Sequence, residues 1–582
     1  MLRPENRSTT VTRAGIIPKL VHSALCGLLL FSTAALSQVT PEEHNKIEAA
    51  IPPKATSVPA KKRRLLVFSL HVRDGQIQKG HESSPCGNLA IELMGDKTGA
   101  YETVVSNDIQ LFRPENLKQF DAICFNNTAG VLFEDPELRR SLLEFVYSGK
   151  GFIGIHAAAA TFVQWPVYDQ WPRFGEMLGA YEDGGHPWKA HETITIKIDE
   201  PGHPLNAGFK GRSFQISDEV FQFRRPYSRD NLRILLTIDT DKTDMSEDRH
   251  FLAERQKDKD FAISWLRNYG RGRVFYSSLG HNKDIFWNAS ILQHFLDGIQ
   301  FALGDMAAPA TASGKLTPAI RTQENLGWRL GISGYTFHKY TFFESVDKTA
   351  ELGLMYLTGY YKQQVGRDIS KPLDCNLNNQ ELEVVRHELV SAGVSMPAYY
   401  IHKIPPDPQV ASRVFQFCRK LGVETIICEP DQQALELLER LADQYDINLA
   451  IHNDTQDVST IYWNPKEVLN VCKGRGKHIG ACGDLGYWLR SGIDPLDALE
   501  VLGDRLMTLH IHDLNELAVH GRDVPWGTGK AQLKNFIQTL YERKIRPAMF
   551  EIEYPYSGDN LMSEIAQCKT FFDRLTVELA PR

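Results

Sequence analysis

The chain is short of cysteine, of excess positive charge and of long apolar runs. Nine cysteines are spread through 582 residues with no CxxC pair. No disulfide framework and no thiolate zinc module is therefore implied. Several of the eight beyond Cys26 fall inside predicted strands or helices, where cysteine behaves as a small buried apolar residue. The formal net charge is -7, which argues against a dedicated nucleic-acid binder. The one long apolar stretch, "LVHSALCGLLLFSTAALS", follows Arg3, Arg7, Arg13 and Lys19 and ends in small residues at Ala35-Leu36-Ser37. Lacking a stop-transfer pattern, it reads as a cleaved leader over residues 1–37, with an uncleaved anchor as the alternative. No leucine precedes Cys26 at the spacing a lipoprotein needs. The expected location is periplasmic or secreted, with no stable membrane span after cleavage.

What is there is a soluble composition, 42% hydrophobic and 24% charged, long enough for two or three domains. Residues 38–62 are polar and rich in Pro and Lys and read as a tether. Residues 305–327 are rich in Ala, Pro, Thr and Gly and read as an interdomain linker. Between them, residues 63–304 alternate apolar runs such as "RLLVFSL", "DAICFNN" and "GFIGIHA" with helical patterns such as "PELRRSLLEFVYSG". This predicts an α/β domain with a doubly wound, flavodoxin-like, mostly parallel sheet. "SWLRNYGRGRVFYSSLG" predicts an apolar hairpin in its core.

Residues 328–582 repeat the alternation more regularly. Eight strand candidates, from "RLGIS" to "AMFEIEY", are spaced by helical patterns, which predicts a (β/α)8 TIM barrel. In that fold, function lies at the C-terminal ends of the strands. Those ends carry Glu429, His452, Asp484, His510, His512, Glu551 and Glu553. A lone histidine at a strand end is usually structural. A convergent set of carboxylates and imidazoles on apolar strands needs pairing, protonation or a metal. Two Glu, one Asp and one His suit one hard or borderline divalent ion: Mn, Mg, Co or Zn. Cys428 points to the other face of its strand from Glu429. His510 and His512 share a face, as do Glu551 and Glu553, because strand side chains alternate.

The second half resembles the sugar phosphate isomerase/epimerase superfamily, the xylose-isomerase-like barrels, through "CEP", "GDLGYW", "HIHD", "VPWGTGK" and "FEIEY". The resemblance covers residues 328–578. It implies Glu429, Asp484, His510 and Glu551 as metal ligands, with Glu429 and Glu551 as the acid and base pair and His452 as competitor. His512 stands where the family carries Lys or Asn, and takes a substrate-facing or supporting role. Glu553, His402, Tyr487 and Trp526 are further substrate-contact candidates. Tyr487 stands where many members carry His. The extra histidines of the endonuclease relatives are missing, so a single-metal site is implied and DNA repair is not. Asp513 is expected to face away from the mouth and to orient a loop or neighbour. The implied reaction is isomerisation or epimerisation of a sugar, by removal of the proton alpha to a carbonyl through a metal-held enediolate. The alternatives are a lyase or hydrolase of 3-keto glycosides, or a non-catalytic carbohydrate-binding protein. The expected partner is a small carbohydrate or glycoside, and the sequence leaves the oligomeric state open.

In the first half, "GKGFIGIHAAAA" resembles the nucleophile elbow of class I glutamine amidotransferases. His156 stands where their cysteine would be, which excludes thiol chemistry. With "WPRFGEMLGA", "HPWKAHETITI", "PGHPLNAGF", "DEVFQF" and "GRGRVFYSSLGH", residues 64–304 resemble the trehalose-utilisation (ThuA-like) family. His81, His156, His186, Glu219 and His281 are expected to line a pocket at the C-terminal edge of the sheet. Structural histidines near a tight turn are the alternative. The family association is with carbohydrate, for binding or for catalysis.

Overall fold

Continuous apolar pentapeptides form strands buried on both faces, and these build the centre of the first domain. In the structure, a computed structural model that describes residues 39–164, 168–182, 185–459, 461–555 and 558–579, nine strands make one sheet. They are β1 (Arg64–Phe68), β2 (Glu102–Val105), β3 (Ala122–Asn126), β4 (Gly151–Ile155), β5 (Thr193–Ile198), β6 (Phe214–Ser217), β7 (Arg233–Ile238), β8 (Ala262–Tyr269) and β9 (Gly272–Ser277). The order is β6-β5-β7-β8-β9-β4-β3-β1-β2. Strands β9, β4, β3, β1 and β2 run parallel. Alternate side chains feed cores on opposite faces, Leu65 and Val67 on one side and Leu66 and Phe68 on the other.

The sheet is mixed rather than mostly parallel. The expected hairpin forms as β8 and β9, and Gly270 takes a positive φ of 58° in its turn. A turn that tight can only return the chain antiparallel. Strands β5 to β7 then extend the antiparallel half.

The stretch read as a tether contains a docked helix, α1 (Pro41–Ala50). Thr40 and Glu43 form a capping box at its start. Ile47 and Ile51, one turn apart, are buried in the core that also holds Met94, on α2 (Ser84–Thr98). Further on, Thr56 Oγ1 donates to Asp297 Oδ1 at 2.5 Å on α3 (Ala289–Leu303), and Gln300 Nε2 donates to the Ser57 carbonyl at 2.6 Å. Two apolar residues on one helical face were enough to dock a segment of otherwise polar composition. The linker likewise contains α4 (Pro318–Leu326), pinned to the first domain by Arg233–Glu324 at 3.2 Å and to the barrel by Gln323–Asp573 at 2.8 Å. The leader expected at 1–37 lies outside the described residues. No disulfide joins the described cysteines. Among the described residues no helix is long and apolar enough to cross a membrane.

The second half closes as a barrel of eight parallel strands in chain order: β10 (Leu330–Ile332), β11 (Tyr356–Tyr360), β12 (Ser395–Tyr400), β13 (Thr425–Cys428), β14 (Asn448–His452), β15 (Ile479–Asp484), β16 (Leu506–Ile511) and β17 (Phe550–Ile552). Ala398, Ile427, Ala450, Cys482 and Met549 fill its interior. Cys428 faces outward into the larger core under the helices, as expected. The first domain docks on the turns that precede the strands. Lys315 Nζ donates to the Gly393 carbonyl at 3.1 Å, just before β12, and Arg271 meets Asp446 at 2.9 Å, just before β14. The C-terminal mouth of the barrel therefore opens away from the first domain.

Candidate functional site

The barrel register sets the mouth. It pairs Asp484 with His510 and His510 with Glu551, so three inward side chains form one row across β15, β16 and β17. His512 and Glu553 lie one inward step nearer the mouth. Glu429 follows β13, and His452 ends β14. All seven polar side chains are buried.

Asp484 is the centre of the cluster. The Tyr487 N–H donates to Oδ1 at 2.7 Å, at the start of α5 (Leu485–Arg490). The Asn453 amide grips the Asp484 backbone on both sides, at 2.7 and 3.1 Å. With Oδ1 and the backbone fixed, Oδ2 faces His512 Nε2 at 3.4 Å, His510 Nδ1 at 3.7 Å and His452 Nε2 at 3.8 Å. Glu553 Oε2 lies 3.0 Å from His510 Nδ1. Asp484 Oδ2, His452 Nε2, His512 Nε2 and both ring nitrogens of His510 are buried without a well-formed hydrogen bond. Leaving so many polar atoms unmatched costs about 1–3 kcal/mol each. A cation among them would satisfy several at once. One donor atom each from Asp484, His510 and Glu553 lies within 4.8 Å of the others, and these oxygens and nitrogens fit a hard or borderline divalent ion.

Neighbouring side chains aim these ligands. His512 Nδ1 lies 2.6 Å from Asp523 Oδ1, which turns Nε2 toward Asp484, and Arg490 holds Asp523 at 3.1 Å. Asp513 faces away and accepts N–H bonds from Gly527, Gly529 and Ala531 at 2.8–3.0 Å, shaping the "VPWGTGK" turn. Burial alone would keep His452 and His512 neutral. Asp484 and Glu429 beside His452, and Asp484 and Asp523 beside His512, outweigh it and raise each to about 10. Burial also opposes ionisation of Asp484, yet the three imidazoles hold its carboxyl well below the usual range.

The structure divides the ligand set drawn from the resemblance. Asp484 and His510 come together, but their carboxylate companion is Glu553. Glu551 lies deeper and accepts the Thr358 hydroxyl at 2.5 Å and the Thr508 hydroxyl at 2.8 Å, with His510 Nε2 at 3.3 Å. Glu429 lies across His452, 3.4 Å from its Nδ1 and 3.6 Å from His402 Nδ1. His402 is half-exposed at the rim, and the Tyr487 ring lies 5.8 Å from His452 and 6.4 Å from His512. Trp526 does not reach the mouth. It is 2% exposed in the hydrophobic core, its ring 6.4 Å from Phe572, because the glycine turn around it faces the last helix. Sequence reasoning missed Cys482, which points inward beside His452 and His510. Its phase with Asp484, two residues on, was the available signal. It also missed Tyr400, whose ring lies 5.4 Å from His452 at the end of β12.

The five residues expected at the first domain's pocket also come together. His156 directly follows β4 with a positive φ of 47°, an uncommon backbone for a non-glycine residue. Its Nδ1 lies 2.8 Å from the Ser278 carbonyl, and its ring stacks on Phe221 at 4.6 Å. His281 Nδ1 is 3.3 Å from His156 Nε2 and 3.3 Å from Glu219 Oε1, while His186 Nε2 is 3.4 Å from the same oxygen. The His81 ring centre lies 5.1 Å from that of His156 and 5.2 Å from that of His281. Buried Asp218 accepts the N–H groups of Gly280 at 2.7 Å and Asn282 at 2.8 Å, which fixes the loop carrying His281. Burial pushes His81 down to about 4 and His156 well below its ordinary value, while the hydrogen bond to Glu219 raises His281.

Residues 64–302 match the family described as Trehalose utilisation (ThuA), and residues 413–571 match the Xylose isomerase-like TIM barrel. No curated protein matches. Among solved structures, an uncharacterised protein from Parabacteroides distasonis ATCC 8503 is 30% identical, covering 42% of this chain and 98% of its own, with a TM-score of 0.36. A D-tagatose 3-epimerase-like protein is 14% identical, with 43% and 100% covered and a TM-score of 0.35. A ThuA-like protein from Bacteroides uniformis ATCC 8492 is 18% identical, with 42% and 94% covered and a TM-score of 0.32. The chain is thus a ThuA-family domain joined to a xylose isomerase-like TIM barrel.

Proposed function

We propose that the barrel is a divalent-metal-dependent isomerase or epimerase acting on a small, non-phosphorylated sugar or keto-glycoside outside the cytoplasm. The observation that carries this reading is the ring of buried nitrogen and oxygen atoms around Asp484 Oδ2 that lack hydrogen-bond partners. Asp484, His510 and Glu553 would hold the ion, with Glu429 on the open side. A bound divalent ion supplies polarisation of a sugar carbonyl and its neighbouring hydroxyl.

The proton chemistry belongs to the chain. Glu429 is the carboxylate nearest the rim, and it takes the proton from the carbon alpha to the carbonyl while the C–H electron pair moves toward the carbonyl oxygen. His452, 3.4 Å away, orients Glu429. Return of a proton to the opposite face of the same carbon inverts it, and return to the neighbouring carbon isomerises the sugar. With a leaving group in the beta position, the same abstraction ends in elimination. Tyr487, Tyr400 and His402 surround the entrance and supply hydroxyl and imidazole groups for sugar hydroxyls. Glu551 is 0% exposed and engaged by two threonines, so it orients His510 rather than moving a proton. The extracytoplasmic location rests on the leader-like first 37 residues.

The test is solvent exchange. The metal-loaded full chain is incubated in D2O with a panel of aldoses, ketoses and 3-keto glycosides, and the sugars are read by NMR. Deuterium at the carbon alpha to the carbonyl of at least one sugar is expected. Metal binding without exchange in any of them refutes the assignment.

A further inference from the structure

The histidines of the ThuA-family domain have a geometry that a pocket lining alone does not require. His81 lies just before α2, His156 at the end of β4 and His281 in the loop after β9. Three separate connections at the C-terminal edge of the parallel strands thus deliver one imidazole each. One ring nitrogen from each lies within 4.8 Å of the others. The hydrogen bonding of these rings is incomplete. His156 Nδ1–H donates to the Ser278 carbonyl, so Nε2 carries a lone pair toward the group. His281 Nδ1 lies 3.3 Å from both that nitrogen and Glu219 Oε1. A single N–H cannot serve both acceptors well. His81 Nδ1 is buried without any hydrogen-bond partner.

We propose that His81, His156 and His281, with Glu219 beside them, form a second metal site, one for a borderline divalent cation of the Zn²⁺, Co²⁺ or Ni²⁺ type. Three imidazoles and one carboxylate favour such ions over Mg²⁺ or Ca²⁺, which prefer oxygen. The carbonyl of Ser278 holds His156 as an outer hydrogen-bond partner holds a ligating imidazole. Asp218 does the same for the His281 loop through the backbone. The site is open on one side, where His186 and His281 are 38% and 28% exposed. Three histidines and an open position leave room for water or an oxygen ligand such as a sugar hydroxyl. This cation is independent of the barrel ion, since the first domain docks at the opposite end of the barrel from the mouth.

The test is cobalt and zinc binding by the full chain in three forms. These are the unaltered protein, a form with the barrel site removed by H510Q and E553Q, and that form with H81A and H281A added. Two equivalents are expected for the first, one for the second and none for the third, with affinity at the remaining site falling about 100-fold or more. Zn²⁺ should also shield His81 and His281 of the barrel-silenced form from carbethoxylation, read by peptide mass, which requires no change in the first domain. Absence of binding to the barrel-silenced form, binding that survives H81A and H281A, or unshielded histidines would each overturn the proposal. If the barrel reading alone is wrong, the first two forms bind one equivalent each and zinc still shields the two histidines.

Discussion

Glu551 and Glu553 offer the sharpest separation of roles, because they share a strand face and differ only in depth. Glu553 Oε2 is 3.0 Å from His510 Nδ1 and belongs to the group that can close on an ion. E553Q removes that charge and one ligand, so metal affinity should fall about 100-fold or more, beyond the range seen on removing an outer partner. E551Q breaks a different set of contacts. Glu551 accepts two hydroxyls, from Thr358 and Thr508, and faces His510 Nε2 at 3.3 Å. Glutamine retains one acceptor and presents an amide N–H₂ to the other hydroxyl. A hydrogen bond to a charged group is worth about 1.5–3 kcal/mol, and the barrel should lose roughly that amount. Metal affinity should fall only about 10-fold, through looser orientation of His510. Both variants are read by metal titration and by urea unfolding. Should E551Q abolish metal binding while E553Q retains it, the assignment of depth is wrong and Glu551 is the ligand.

Other consequences follow from specific contacts. Burial raises the Asp297 carboxyl to about 6, above its unfolded value of about 3.9, so its favourable contribution is complete below pH 4 and lost as pH rises through 6. D297N keeps the acceptor for Thr56 and should stabilise the first domain by up to about 3 kcal/mol at pH 8, with no gain at pH 4; equal effects at both values in denaturant titrations would contradict this. A Cβ at Gly486 would sit 2.6 Å from His512 Cγ and 2.7 Å from Arg490 Nη1. G486A should therefore displace His512 and lower metal affinity about 10–100-fold, whereas unchanged binding in calorimetry would show that His512 is not needed there. Secreted from a bacterial host, the chain should begin at Gln38; recovery of an exported form that retains Met1 would refute cleavage.

The fold was legible because its signals are periodic. Eight apolar runs at barrel spacing became eight strands, and the hairpin of β8 and β9 formed where its glycine turn stood. The site was legible as a group of strand ends, since Asp484, His510 and Glu553 share the inward phase. Depth was not legible. Glu551 and Glu553 have the same phase, and what separates them is contributed by Thr358 on β11 and Thr508 on β16. Trp526 sits in a motif turn and looked like a rim residue, but Phe572, on the last helix, draws it into the core. Composition also misled over residues 38–62, where Ile47 and Ile51 outweigh the surrounding Lys and Pro. In each case the deciding partner lies far away in sequence.

The central claim is that the barrel mouth holds one divalent ion on Asp484, His510 and Glu553. Anomalous diffraction from crystals of the full chain grown with Mn²⁺ or Zn²⁺, collected at the metal edge, tests it most directly. The account predicts a peak about 2.0–2.3 Å from a carboxylate oxygen of Asp484, a ring nitrogen of His510 and a carboxylate oxygen of Glu553. A barrel mouth without a peak, or a peak bound by Glu551 with Glu553 turned away, would contradict it.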